Sequence, residues 1–244
     1  MGPFPDGVYR AQFPYYYRNP EGMPQEAALD YYLNSIKDVF EQCGPADSIA
    51  AIVVEPLQGE GGFIPAPIEW VKAVRKICDE NGILLVADEV QTGFCRTGRM
   101  FATQYWEEAG VQPGILATAK SIAAALKTIE IMERDDLAGC SCEIGEKVSK
   151  RFNEWKEKYP VIGDVRGLGG MIGLEFVKDQ KSKEPYPEFS AAVISGCAKK
   201  GLMIEGAGTY GNVIRFLAPL VMTDEQLEAG LDIYESVIKE LLEK

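Results

Sequence analysis

Three short apolar runs constrain this chain most: Ile49-Ala-Ala-Ile-Val-Val54, Ile83-Leu-Leu-Val-Ala87 and Ile115-Leu-Ala-Thr-Ala119. Each is too short for a stable helix, and the first suits a strand buried on both faces of a sheet. Between the first two lies an amphipathic stretch, Ile68 to Cys78, with Asn81-Gly82 as its stop signal. Strand, helix, strand in this rhythm predicts an α/β fold with a mostly parallel sheet and right-handed crossovers. Upstream, residues 1–24 are rich in Pro, Tyr and Gly and read as an extended lead-in. Residues 25–43 then carry Ala28, Tyr31, Leu33, Ile36, Val39 and Phe40 at helical spacing, ended by Gly44-Pro45.

The second half has a different pattern. Residues 124–159 read as largely helical, broken near Gly139. Val161 to Val177 interleaves Gly167, Gly169, Gly170 and Gly173 with apolar residues, as in a twisted hairpin. Leu202-Met-Ile-Glu205 and Val213-Ile-Arg-Phe-Leu217 read as further strands. Thr223-Asp-Glu-Gln226 is a capping box that opens a last helix with Leu227, Leu231, Tyr234, Ile238 and Leu241 on one face. The expected organisation is a partial large α/β domain over residues 1–135 and a small C-terminal α+β domain over residues 136–244.

Composition removes several classes of function. A net charge of −12 argues against nucleic acid or an anionic membrane as partner, and no apolar run is long enough to span a bilayer. The start of the chain has no basic region followed by an apolar stretch, so a cytoplasmic location is expected. The chain has no His, which excludes Ser-His and Cys-His nucleophile systems and His-ligated metals. Cys140 and Cys142 form a lone Cys-x-Cys, so no metal site is expected. Cys43, Cys78 and Cys197 fall in helix-like segments and read as buried small hydrophobes.

Chemistry is concentrated at two strand ends. Asp88 closes the second run, and Lys120 closes the third. A strand ending in Asp followed by a strand ending in a lone Lys supplies what a pyridoxal phosphate site requires. The amine can hold the cofactor aldehyde as a Schiff base, and the carboxylate can keep the pyridine nitrogen protonated. Taken singly, each has a plainer reading: a surface lysine at a strand end, and a carboxylate capping the following turn.

Four segments occur together, in order: Val54-Glu-Pro-Leu-Gln-Gly-Glu-Gly-Gly62, Val86-Ala-Asp-Glu-Val-Gln-Thr-Gly-Phe94, Ala119-Lys-Ser-Ile-Ala123 and Asn212-Val-Ile-Arg-Phe-Leu-Ala-Pro-Leu220. In this combination the chain resembles the class III, fold-type I pyridoxal phosphate aminotransferases, the group of 4-aminobutyrate, ornithine and acetylornithine aminotransferases. The resemblance implies that Lys120 is the catalytic, cofactor-holding lysine and that Asp88 pairs with the pyridine nitrogen. Val90 would pack on the ring, unless it serves only the core, and Gln91 would bond the ring's phenolic oxygen. Arg215 would take the substrate α-carboxylate in a bidentate grip. Glu60 would pair with Arg215 when a substrate lacks that group; an ordinary interdomain salt bridge is the plainer reading, and the two are compatible. Glycines 59, 61 and 62 shape a tight turn.

The resemblance also implies an ω-amino acid donor, 2-oxoglutarate as acceptor, and a homodimer. It departs from the family at two places. The N-terminal Gly-Ser-rich helix start that binds the cofactor phosphate is not found, and after Lys120 the chain runs straight into Ala124-Ala-Leu-Lys-Thr-Ile-Glu-Ile-Met-Glu133. Each lost charge-assisted hydrogen bond to the phosphate forfeits about 1.5–3 kcal/mol. Two alternatives therefore stand beside transamination. One is a shortened, inactive chain acting through association; the other is a racemase or aminomutase that uses the same lysine.

Overall fold

The computed structural model describes residues 6–118 and 122–243. In chain order its elements begin with α1 (Gln25–Gln42), β1 (Ala51–Val54), β2 (Leu57–Gln58), β3 (Ile64–Pro65), α2 (Ile68–Asn81), β4 (Leu84–Asp88), α3 (Thr103–Glu108) and β5 (Ile115–Ala117). There follow α4 (Ile122–Arg134), α5 (Leu137–Lys158), β6 (Ile162–Leu168), β7 (Met171–Phe176), α6 (Pro187–Lys199), β8 (Glu205–Ala207), β9 (Val213–Phe216) and α7 (Asp224–Leu242). The chain forms two compact units that interleave along the sequence. One holds residues 1–54, 66–88 and 105–117; the other holds 55–65, 89–104 and 118–244.

The first unit is a parallel sheet in the order β1-β4-β5. Its core joins Val54, Leu85 and Ala87 to Val71, Val74 and Cys78 of α2 and to Tyr32 and Ile36 of α1. α2 stops where expected, because Gly82 takes the left-handed conformation (φ 68°) and its N–H caps Cys78 O. The expectation that the first strand is buried on both faces does not hold. Val53 is 64% exposed, and Leu84 and Ile115 of the same face are also open. Side chains alternate along a strand, so α1 and α2 cover one face only. Leu85→Ala should therefore cost about 3 kcal/mol, whereas Val53→Thr should change stability by less than about 0.5 kcal/mol. Urea unfolding of the two variants checks this.

The second unit contains an antiparallel sheet in the order β6-β7-β9-β8 and the β2-β3 hairpin. α5, α6 and α7 supply its core through Val148, Phe152, Trp155, Val193, Leu231 and Ile238, packed on Leu174, Phe176 and Ile214. The Thr223–Gln226 capping box forms with both of its hydrogen bonds. Three local expectations shift. The helical break falls at Asp135-Asp136, before Gly139, because Asp136 adopts φ 45° and its carboxylate accepts from Gly139 N, starting α5. The strand expected at 202–205 forms at Glu205–Ala207, paired with β9. Cys43 is exposed at the end of α1, while Cys78 and Cys197 are buried. Among the described residues no helix is long and apolar enough to cross a membrane, and no cluster of ligating side chains could hold a metal ion.

Candidate active site

The site begins with a turn and a sheet. β2 and β3 are joined by Gly59-Glu-Gly-Gly-Phe63, and Gly59 O accepts from Gly62 N (3.0 Å) and Phe63 N (3.3 Å). Gly59 N in turn donates to Glu55 Oε2 at 2.9 Å. Gly62 has φ 119°, which side chains rarely adopt, and a Cβ at Gly59 would collide with the Gln91 amide. The glycines expected to make a tight turn do so, and one of them also makes room for Gln91.

Glu60 projects from this turn with its side chain 80% exposed and accepts a hydrogen bond from Arg215 Nη1 at 2.6 Å. Arg215, on β9, is only 15% exposed, and its Nη2 donates to Glu205 Oε2 of β8 at 2.8 Å. The structure thus brings together two residues 155 positions apart, as the sequence reading anticipated, and adds a second carboxylate that it did not. Glu205 lies directly across from Arg215 in the β8-β9 register, a relation visible only once the strands pair. An arginine shared between two exposed carboxylates can give up one of them to an incoming carboxylate without leaving its charge unpaired.

The segment after β4 is held by a residue the sequence reading passed over. Glu89 is fully buried; its Oε1 accepts from Thr103 N at 2.6 Å and its Oε2 from the Thr92 hydroxyl. The next two side chains, Val90 and Gln91, line a cavity of about 330 Å³ together with Phe94, Arg96, Met132 and Leu220. Val90 is 59% exposed, which is unusual for an apolar side chain that serves only as core. Asp88 is half-buried at the C-terminal end of β4, where a carboxylate can face a ligand. Lys120 lies outside the described residues.

Val90 and Gln91 offer what the ring of a pyridoxal phosphate group needs on one side, an open apolar face and an amide. The fit to its phosphate is poorer. Among the described residues, Arg96 is the cation in the cavity lining, and its Nη1 is already engaged with Ala218 O at 2.9 Å. Next to the turn, burial pushes the Glu175 carboxyl up to about 7 against the lowering effect of the Asn212 hydrogen bond, while Arg166 at 2.7 Å favours its ionised form.

With this geometry in place, the chain can be set beside known proteins. The profile of the family described as "Aminotransferase class-III" matches residues 1–126 and 121–238. The chain belongs to the class-III aminotransferase family. It is 38% identical to the 5-aminovalerate aminotransferase DavT of Pseudomonas putida, the match covering 99% of this chain and 62% of the relative. It is 37% identical to a probable 4-aminobutyrate aminotransferase of Bacillus subtilis, with 98% of this chain and 62% of the relative covered. A solved structure, an (S)-enantioselective ω-transaminase from Thermomicrobium roseum, superimposes with a TM-score of 0.86 at 26% identity, covering 99% of this chain and 62% of that one. The fold is that of the fold-type I pyridoxal phosphate transferases, with an incomplete large domain.

This class-III chain spans about three fifths of the length of the relatives it matches. The family profile matches it in two stretches that meet at residues 121–126. Its alignment with the B. subtilis relative runs over 274 positions against the 244 residues of this chain, so at least 30 residues of that relative have no counterpart here.

Proposed function

We propose that the chain derives its function from pyridoxal phosphate-dependent transamination of an ω-amino acid such as 4-aminobutyrate, with 2-oxoglutarate as acceptor, in a cytoplasmic homodimer. The observation that carries this reading is the Arg215–Glu60 contact at 2.6 Å, with Glu60 exposed enough to swing away. A substrate without an α-carboxylate leaves the pair closed; a 2-oxo acid such as 2-oxoglutarate displaces Glu60 and takes Arg215 in its place. One pocket then serves both half-reactions, and ornithine is a further candidate donor.

The bound cofactor supplies an electron sink for the carbon that carries the amine. Lys120 would hold it and, once released, would move a proton between the substrate carbon and cofactor C4′. Asp88 would keep the pyridine nitrogen protonated, Val90 would exclude water from one ring face, and Gln91 would donate to the ring's phenolic oxygen.

Titration of the purified chain with pyridoxal phosphate tests this reading. A saturable visible band is expected, and borohydride reduction followed by peptide mapping should place the label on Lys120; Lys120→Ala should abolish both. No band, or label scattered over surface lysines, would overturn it. That outcome would favour a second reading, an inactive chain acting by association, which is motivated by the family match divided at residues 121–126. With a band in hand, formation of glutamate from 2-oxoglutarate and 4-aminobutyrate tests the substrates.

A further inference from the structure

The turn that carries Glu60 is gripped from two sides by arginines of one sheet row. Arg166 on β6 lies across from Gly173 on β7, and Gly173 lies across from Arg215 on β9. Directly opposed residues of neighbouring antiparallel strands project to the same face, so the row reads arginine, bare glycine, arginine. The turn lies over the glycine: a Cβ at Gly173 would come to 3.2 Å from both Gly62 O and Phe63 Cβ. On one side Arg215 holds the Glu60 side chain. On the other, Arg166 Nε donates to Gly62 O at 2.9 Å.

Arg166 is itself firmly held. It is about 10% exposed, and its Nη1 donates to Glu175 Oε2 at 2.7 Å and Asp164 Oδ2 at 2.9 Å. Glu175 is fully buried and also faces Asn212 Nδ2 at 3.3 Å; Asn212 is anchored by a 2.6 Å bond to Phe176 O. A planar fork between a buried carboxylate and a backbone carbonyl has little freedom to rotate. The Glu60 backbone is fixed too, because its carbonyl accepts from Gly208 N at 2.9 Å. The turn backbone is thus anchored at Gly59, Glu60 and Gly62, while the Glu60 side chain alone is solvent-exposed.

We infer that Arg166, acting through the Gly62 carbonyl over the bare Gly173, is a positioning residue that makes the Glu60–Arg215 pair a side-chain gate on a fixed backbone. The gate opens by rotation of one glutamate side chain, and Arg166 sets how readily Arg215 is released to a ligand carboxylate. This inference rests on reading Glu60 and Arg215 as a carboxylate gate, but its structural part can be tested without cofactor chemistry.

Hydrogen exchange of residues 57–64 in the full chain reads the clamp directly. Arg166→Gln and Gly173→Ala should each raise exchange there at least about tenfold, corresponding to about 1.4 kcal/mol, with α7 unchanged. Glu60→Gln should leave it unchanged. Unaltered exchange at 57–64 in Arg166→Gln, or an equal rise throughout α7, would overturn the inference. Calorimetric titration with glutarate, a five-carbon dicarboxylate, supplies a readout that general loosening would not move. Glu60→Ala should bind it several-fold more tightly than the parent chain, Arg166→Gln should move in the same direction, and the double variant should gain nothing further. A gain in Glu60→Ala with none in Arg166→Gln would overturn the positioning role while sparing the gate. If neither the parent nor Glu60→Ala binds glutarate, the gate reading fails and hydrogen exchange decides the clamp by itself.

Discussion

Gly145→Ala is expected to destabilise the second unit by at least about 3 kcal/mol, although alanine is the better helix former by about 1 kcal/mol. Gly145 sits in the middle of α5, where the added Cβ would fall inside the van der Waals radius of the Gly169 carbonyl. Gly169 cannot retreat. It takes φ 51° in the turn between β6 and β7 and lies against the backbone of Thr97 and Gly98. One helical turn earlier, Ser141 Oγ accepts from Gly170 N at 2.8 Å and donates to Arg96 O at 2.9 Å. Helix, hairpin turn and the 95–98 loop are therefore in backbone contact, and no flexible side chain can absorb the methyl group. Since Arg96 lines the candidate cavity, the same change should disturb it. Urea unfolding provides the measurement, with Gly230→Ala in α7 as control. There the Cβ meets Leu202 at an ordinary 3.5 Å, and a gain of up to about 1 kcal/mol is expected. Equal stability of Gly145→Ala and the parent chain would refute the close contact.

The second large effect is electrostatic. Glu235 on α7 accepts from Tyr159 at 2.7 Å, Lys158 at 2.9 Å and Arg151 at 3.3 Å, and pairs with Lys239 at 3.2 Å. Burial alone would push its carboxyl up, but hydrogen bonds from Lys158, Tyr159, Lys239 and Arg151 outweigh burial and hold it at about 2, below the ordinary 4.5. A carboxylate depressed in the folded state adds stability that is fully present above its unfolded value. That stability is lost as pH falls from about 4.5 through about 2. Discounted for solvent screening, the contribution is about 2 kcal/mol. Glu235→Gln should cost about that much at pH 7, because three cations lose their shared anion. The gap should narrow toward pH 2, where the parent's carboxyl is half protonated. Unfolding curves at pH 7 and pH 3 check the sign; a variant that loses stability in parallel with the parent over that range would contradict it.

Much of the fold could be read from local signals. The apolar runs at 49–54 and 83–87, the Asn81-Gly82 stop and the Thr223–Gln226 box each encode an element through contacts a few residues apart, and each appears within a residue or two of its expected place. The strand near 202 was displaced to Glu205–Ala207 because pairing with β9 set its bounds and its own side chains did not. The helical break moved from Gly139 to Asp136 because a side-chain cap outweighed a glycine that the helix could tolerate.

For the site, residue type and spacing in the amino-acid sequence by itself pointed to Asp88 and Lys120 at strand ends, while the resemblance of its motifs to the class-III family implied Val90, Gln91, Glu60 and Arg215. Only the tertiary structure decided that Arg166, Gly173, Arg215 and Glu205 share one row of the sheet, and that the Glu60 turn lies across it. It also decided that Val53 faces solvent and that Glu89 is the buried anchor of the 89–103 segment. These relations depend on strand register and on which face a helix covers. Both are set by packing between residues distant along the chain, so no local pattern records them.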